Sequence, residues 1–129
     1  MTFRFARHTN DLEQIKAFYV NILGLEVLGG FQNHAGYDGL FLGKANENWH
    51  LEFTTSVEPA THVFDDDDLM VFYPNTKLEF ELIMENVRQH AIPFIEAKNP
   101  YWKNLDINEG KMFLDPDGYR IVVTNLKMA

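Results

Sequence analysis

The sequence predicts an α+β fold built from two tandem copies of one β-α-β-β-β module. First, residues 11–27 form a helical pattern that stops at Gly24 and continues directly as a strand pattern. Second, the same order of helix and strand patterns occurs again in the second half of the chain. Third, residues 41–54 and 113–124 share an apolar pair, a loop, and a strand that begins with an aromatic residue and ends with threonine. A duplicated module explains these observations better than two unrelated halves.

Module one covers about residues 1–56. Its helix is expected over residues 11–22, with Asn10 as the N-cap and Glu13 completing a capping box. Gly24 supplies the left-handed residue that ends a helix. Strand patterns separated by glycine-rich turns surround this helix at residues 3–8, 25–32, 37–42 and 49–55.

Module two covers about residues 69–127. Its helix is expected over residues 76–90, where Thr76 is the N-cap and Glu79 stands three positions later. Pro93 prevents further helix. Strand patterns lie at residues 69–73, 94–96, 111–114 and 119–125, with a long loop at 97–110 and an Asp-Pro-Asp-Gly turn at 115–118.

Composition limits the class of protein. A chain of 129 residues with 46% hydrophobic residues fits a single globular domain, residues 1–129. It has no cysteine, which excludes disulfides, thiolate nucleophiles and thiolate metal sites. No apolar run approaches the roughly 18 residues of a membrane span, and no signal-peptide core is present. We therefore expect a cytoplasmic protein with no membrane partner.

The formal net charge of -8 argues against nucleic acid as a partner. It would repel a phosphate backbone, and the lysines and arginines form no basic stripe. Acidity can attract cationic ligands, but it more often serves solubility alone. The run of aspartates at 65–68 lacks the spaced ligands and glycine of a calcium loop, so we interpret it as a solvated turn.

The opening module resembles that of the vicinal oxygen chelate superfamily, which includes glyoxalase I, bleomycin-resistance proteins and extradiol dioxygenases. The resemblance lies in Asp-Leu at 11–12, Phe-Tyr at 18–19 and Leu-Gly-Leu-Glu-Val at 23–27, and the module order extends it over nearly the whole chain. It implies curved mixed sheets that form incomplete barrels around a ligand-binding cleft. It also implies a homodimer, because open sheet edges and paired modules commonly associate.

The resemblance also locates the positions at which metal-dependent members hold a divalent ion. These members use one residue on the first and one on the last strand of each module. Here the positions fall on Arg4 and Glu52 in module one, and on Met70 or Leu69 and on Val122 in module two. Guanidinium stays protonated, so Arg4 cannot be a ligand. One carboxylate cannot hold a catalytic ion, and we expect neither a metal nor another cofactor.

Strand alternation predicts the residues that face the cleft. Arg4 and Glu52 are expected to form a charge pair, which either satisfies itself or grips an anionic ligand. His50 and Glu52 are the candidate catalytic bases, and a different metal group of His8, His50 and Glu52 is an alternative. The full facing set is Arg4, Ala6, His8, His50, Glu52, Thr54, Met70, Phe72, Arg120, Val122 and Thr124.

Two aromatic residues, Tyr101 and Trp102, stand in the loop at 97–110. They either cover the cleft and stack on a flat ligand or pack against the neighbouring strands. The predicted function is metal-independent binding of a small organic molecule, as in bleomycin-resistance proteins; the alternative is a lyase, isomerase or dioxygenase-like enzyme with a noncanonical site. The candidate ligand-binding residues are Arg4, His8, His50, Glu52, Met70, Phe72, Trp102 and Arg120.

Overall fold

The alternation of strands and helices that the repeat predicts is present in the computed structural model, which describes residues 1–126. Residue 127, the predicted end of module two, lies outside the described residues. The elements are β1 (Phe3–His8), α1 (Leu12–Asn21), β2 (Glu26–His34), β3 (Tyr37–Gly43), β4 (Trp49–Thr55), β5 (Leu69–Phe72), α2 (Lys77–Gln89), α3 (Pro100–Lys103), β6 (Gly110–Leu114) and β7 (Arg120–Thr124). The predicted α+β class, with two curved mixed sheets that do not close into barrels, is confirmed.

The chain divides into two compact units, Met1–His62 and the segment from Val63 onward. In the first unit the strand order is β1-β4-β3-β2, with β1 parallel to β4 and the other neighbours antiparallel. Ile15 and Tyr19 of α1 are fully buried, and the Tyr19 ring lies 5.1 Å from that of Phe53 on β4. This contact identifies the face of the sheet that α1 covers.

The N-cap of α1 is Asp11, and the prediction of Asn10 is wrong. An Asp11 carboxylate oxygen accepts the backbone N–H of Gln14 at 3.0 Å. The Asn10 side-chain oxygen instead accepts the N–H of Ala60 at 2.8 Å, which ties the segment after β4 to the start of the helix. Both residue types make good caps, so only the tertiary contact decides which one serves. Gly24 ends the helix at a φ of 71°, as predicted.

The second unit has the strand order β5-β7-β6, with β5 parallel to β7 and β6 antiparallel to it. Thr76 caps α2 as predicted, because its hydroxyl accepts the N–H of Glu79 at 3.1 Å. The hairpin between β6 and β7 is closed by Asp115, whose carboxylate accepts the N–H groups of Asp117 and Tyr119. Gly118 takes a φ of 93°, which a hairpin of this sequence requires.

Two predictions in the second unit are wrong. The strand expected at 94–96 is reduced to one bridge, in which the N–H of Ile95 donates to the Met112 carbonyl at 2.8 Å. Pro93 has no N–H to extend the ladder toward the N-terminus. The loop expected at 97–110 contains α3, which begins with Pro100 after the Asn99 side chain accepts the N–H of Tyr101 at 3.0 Å. Within residues 1–126, no helix has both the length and the apolarity that a bilayer crossing needs.

Candidate functional site

The candidate site lies on the face of the first sheet that points away from α1. Phe53 points toward the helix, so its neighbours His50, Glu52 and Thr54 at alternating positions point to the other side. The parallel register places these residues beside alternating residues of β1. The three pairs are Arg4 with His50, Ala6 with Glu52 and His8 with Thr54. The facing predicted for module one is therefore present in the structure.

Arg4 makes three contacts on this face. Its Nε–H donates to His50 Nε2 at 2.7 Å, and Nη1 donates to Glu52 Oε1 at 3.1 Å. Its guanidinium carbon lies 4.6 Å from the centre of the Phe41 ring, which is within cation–π range. The ion pair expected between Arg4 and Glu52 thus forms, and it has an imidazole and an aromatic ring as additional partners. We call Arg4, Phe31, Phe41, His50 and Glu52 the Arg4 face.

The ion pair is only partly removed from water. The side chain of Arg4 is 48% exposed, and that of Glu52 is 17% exposed. Pairs with this degree of solvation contribute about 1 kcal/mol or less to folding stability. The two hydrogen bonds also leave further N–H donors on the guanidinium, which carries more donors than they use. The exposed part of Arg4 can therefore accept a further partner.

The hydrogen bond from Arg4 fixes the tautomer of His50. Because Nε2 accepts the hydrogen bond from Arg4, the proton of the neutral ring is assigned to Nδ1. Both ring nitrogens are then engaged or protonated, and His50 cannot accept a proton until the Arg4 bond breaks. Glu52, the other candidate base, uses only one of its two carboxylate oxygens in the contact with Arg4.

Phe31 and Phe41 extend the Arg4 face across the sheet, and neither residue is among the site residues predicted from the sequence. Phe41 pairs with Glu52 across β3 and β4, and its ring lies 5.9 Å from Phe31 and 6.1 Å from His50. Phe31 lies over Gly39, where an added Cβ would be 2.2 Å from a ring carbon. The signal was present in the sequence, because pairing β3 against β4 through a hairpin would have placed Phe41 opposite Glu52.

His8 lies at the other end of β1 and is held in a separate network. Its Nε2 donates to the Glu58 carbonyl at 3.1 Å, so in the neutral ring Nδ1 accepts from the Thr54 hydroxyl at 2.8 Å. The Tyr37 ring packs against it at 5.9 Å. His8 does not join His50 and Glu52 in a metal group, and residues 1–126 contain no cluster of three or more His, Cys, Asp or Glu able to hold an ion.

The register of the second sheet corrects the facing predicted for module two. Val71 pairs with Val122, whereas Met70 pairs with Ile121 and Phe72 with Val123. Adjacent residues of a strand point to opposite faces, so Met70 and Phe72 do not share the face of Val122. The prediction that they do is wrong by one residue.

Arg120 forms an ion pair within the second unit. Its Nη2 donates to an Asp66 carboxylate oxygen at 2.9 Å. The same aspartate run closes on itself, since Asp65 Oδ1 accepts the N–H of Asp67 and Asp68 Oδ2 accepts that of Asp65. These bonds explain the run as a turn that orients a partner for Arg120.

Trp102 packs inside the second unit. It lies against a buried cluster formed by Ala97, Leu105, Met112 and Val122, together with the partly buried side chains of Leu69, Val71 and Ile95. This packing corresponds to the alternative in which the aromatic residue of the loop covers neighbouring strands. Its neighbour Tyr101 is 70% exposed.

The donor set does not fit the divalent ion of metal-dependent vicinal oxygen chelate proteins. The register selects Leu69 as the counterpart of Arg4, because Leu69 pairs with Arg120 as Arg4 pairs with His50. Val122, the counterpart of Glu52, is fully buried in the apolar cluster. Glu52 alone can ligate, and Arg4 already occupies one of its oxygens.

The chain is similar in sequence and in structure to the YycE protein of Bacillus subtilis over almost its full length. Sequence models of the YycE-like N-terminal and C-terminal domains match residues 3–54 and 67–125. The uncharacterized protein YycE of Bacillus subtilis is 38% identical over 128 residues, covering 96% of this chain and 87% of that protein. Its crystal structure has a TM-score of 0.84 at 37% identity, covering 99% of this chain and 91% of that one.

Two more distant structures share the fold. The trypanothione-dependent glyoxalase I of Leishmania major has a TM-score of 0.74 at 22% identity, covering 97% of this chain and 86% of that one. TnmS3, an antibiotic binding protein from Streptomyces sp. CB03234, has a TM-score of 0.65 at 18% identity, covering 96% of this chain and 93% of that one. At these identities the likeness concerns the fold.

A double-mutant cycle on Arg4→Met and Glu52→Gln should give a coupling free energy of about 1 kcal/mol or less, because half of the Arg4 side chain is in water. Urea denaturation of the parent, both single variants and the double variant measures this coupling. A coupling of several kcal/mol would show that the pair is desolvated in solution, contrary to the structure.

Purified protein should contain no stoichiometric zinc, nickel, iron or manganese, because Arg4, Leu69 and Val122 occupy three of the four positions where the family resemblance implies ligands. Elemental analysis after dialysis against each metal measures this directly. The expectation fails if a tightly held ion is found at a stoichiometric level and is lost in the Glu52→Ala variant.

Proposed function

The chain belongs to the YycE-like family of the vicinal oxygen chelate superfamily, and from this premise we propose that it binds a small organic carboxylate at the Arg4 face without a metal. The observation that carries the proposal is the position of the Arg4 guanidinium. The family resemblance implies that this is a position of a metal ligand in metal-dependent members, and 48% of the Arg4 side chain is accessible. The fold family is glyoxalase/fosfomycin-resistance-like, and its members include an enzyme and an antibiotic binding protein.

Arg4 is suited to hold an anion because its own position is already restrained. The bonds to His50 and Glu52 and the contact with Phe41 limit its rotamers before any ligand arrives. Ordering a long side chain costs roughly 0.5–1.5 kcal/mol on binding, and a restrained side chain avoids part of that cost. The remaining guanidinium donors can bind a carboxylate with two parallel hydrogen bonds.

The aromatic rings of Phe31 and Phe41 indicate that the part of the ligand beyond its carboxylate is apolar. They lie 5.9 Å apart, with Phe41 against the guanidinium, and offer apolar surface to a flat or aromatic body. The neutral His50 ring adds an Nδ1–H donor on the same face. An aromatic carboxylate matches this combination of a cation, a donor and apolar rings.

Two charges oppose such a ligand, so we expect modest affinity. The net charge of -8 repels an anion at long range, and the Glu52 carboxylate repels it locally. Binding then depends on the direct contact with Arg4 and on burial of the aromatic body.

Titration with aromatic carboxylates, followed by protein NMR, tests the proposal. Benzoate and phenylacetate should shift the amide signals of Arg4, Phe41 and His50 saturably, and the uncharged benzamide should bind at least about fivefold more weakly because it lacks the charge-assisted bond. Arg4→Met should abolish the difference between benzoate and benzamide.

Arg88→Met is the matched control for this titration. Arg88 hydrogen-bonds Glu85 on the surface of α2 and lowers the pKa of that carboxyl, so the variant removes another exposed Arg–Glu pair from the second unit. Its affinity for benzoate should equal that of the parent. The proposal is refuted if no carboxylate of the panel gives shifts that depend on Arg4, or if Arg88→Met has the same effect as Arg4→Met.

We further propose that the protein is a homodimer that uses β1. This strand stands at the edge of its sheet, and the side chains of Phe3 and Phe5 on it are 62% and 42% exposed. Exposed aromatic residues on an edge strand favour pairing with a second chain. Light scattering should show a dimer that dissociates in the Phe3→Glu/Phe5→Glu variant but not in Val57→Glu, which changes a 96% exposed residue outside the sheet. A parent protein that is monomeric at 15.0 kDa would contradict this.

A further inference from the structure

The second unit contains a pocket that is separate from the Arg4 face. Its volume is about 290 Å³, which is at the small end of the range for ligand sites. The residues that give it chemical character are three aromatic side chains, an amide, an apolar side chain and a carboxylate: Tyr73, Tyr101, Trp102, Asn104, Leu105 and Glu109. We propose that this pocket binds a small organic cation of the quaternary or tertiary ammonium class.

The aromatic walls stand at a large angle to each other. The rings of Tyr101 and Trp102 have centroids 4.7 Å apart and planes inclined by 79°. Tyr73 follows the last residue of β5 and supplies a third ring. Aromatic faces that surround a small volume from different directions stabilise a cation through their quadrupoles, and they suit a methylated ammonium that cannot donate hydrogen bonds.

Trp102 is a fixed wall because it is packed from behind. It lies against the buried cluster of Ala97, Leu105, Met112 and Val122. A ligand therefore does not need to order this side chain, which is the costly step for a flexible aromatic residue. Tyr101, at 70% exposure, is the wall that faces water.

The carboxylate of Glu109 is held in position by the backbone. Its Oε1 accepts the N–H of Asp106 at 3.1 Å, and its own N–H donates to the Asp106 carbonyl at 3.0 Å. The next residue, Gly110, has a φ of 145° and would place a Cβ 2.3 Å from the Val123 carbonyl oxygen, so only glycine allows this approach to β7. Glu109 is thus a preorganised negative charge at an aromatic pocket.

The neighbouring cations are engaged outside the pocket. Lys111 donates to the Leu105 carbonyl at 2.6 Å, and Lys103 lies 3.5 Å from a carboxylate oxygen of Glu96. Neither residue lines the pocket. The net charge of -8 adds a long-range attraction for a cation, in contrast to its effect on an anion at the Arg4 face.

Trp102 fluorescence in the full chain tests this proposal. The protein has only two tryptophans, so Trp49→Phe leaves Trp102 as the sole indole reporter. Tetramethylammonium should change its emission saturably at constant ionic strength. The uncharged neopentyl alcohol, which has a similar shape, should give no saturable change, since it lacks the charge that the rings and Glu109 recognise.

Variants in the same background locate the site. Glu109→Gln should weaken tetramethylammonium binding about tenfold, because it removes the charge but keeps the oxygen that accepts from Asp106. Tyr101→Leu should also weaken it, and Tyr101→Phe should not, since phenylalanine keeps the ring. Glu81→Gln, which changes an exposed carboxylate paired with Lys77 on α2, is the matched control and should leave affinity unchanged.

Three results would overturn the proposal: no saturable change with tetramethylammonium, equal binding of neopentyl alcohol, or unchanged affinity in both Glu109→Gln and Tyr101→Leu. Thermal denaturation of each variant verifies that the fold is intact. Because none of these measurements involves Arg4 or benzoate, the cation pocket and the anion site stand or fail separately.

Discussion

The parallel pairing of the first and last strands within each unit determines which residues lie side by side on each sheet. In the first unit this register sets Arg4 beside His50 and Ala6 beside Glu52. The small side chain of Ala6 leaves room for the long Arg4 side chain to reach diagonally to Glu52 at 3.1 Å. A shift of one residue would turn Arg4 to the face that α1 covers, where a charged side chain would lose water without its partners.

The same register produces a different environment in the second unit. There the corresponding positions are Leu69 beside Arg120 and Val71 beside Val122, and three of these four side chains are apolar. The segment that contains α3 covers this face with Trp102, so these positions form a packed cluster instead of a polar site. The two modules thus share the parallel pairing of their first and last strands but differ in the side chains at equivalent positions. Among the described residues, the first unit has a polar pair at these positions, whereas the second unit has an apolar cluster there and aromatic and acidic side chains on its covering segment.

Features set by short-range patterns could be predicted from the sequence. Gly24, in the turn that follows α1, and Gly118, in the hairpin turn, both depend on local backbone conformation. Thr76 caps α2 through a contact with Glu79, three residues away. The choice between Asn10 and Asp11 could not be predicted, because it depends on the contact of Asn10 with Ala60, fifty positions along the chain. The prediction of the sheet face to which Met70 and Phe72 point was wrong for a related reason. Alternation within a strand is local, but the face that contains Val122 is fixed by pairing with a strand far along the chain.

Arginine at a position where the family resemblance implies a metal ligand changes the chemistry that is possible at the site as well as the group that the site can bind. A metal ion polarises a bound oxygen and can activate water, whereas guanidinium offers directed N–H donors and a charge spread over a plane. The contact with His50 adds to this difference, because it occupies the imidazole nitrogen that would otherwise accept a proton. A face with a permanent cation and an engaged histidine is better suited to hold an anionic group than to transfer its protons. For that reason, the family resemblance identifies the fold, while the proposal of anion binding rests on the contacts of Arg4 with His50 and Glu52.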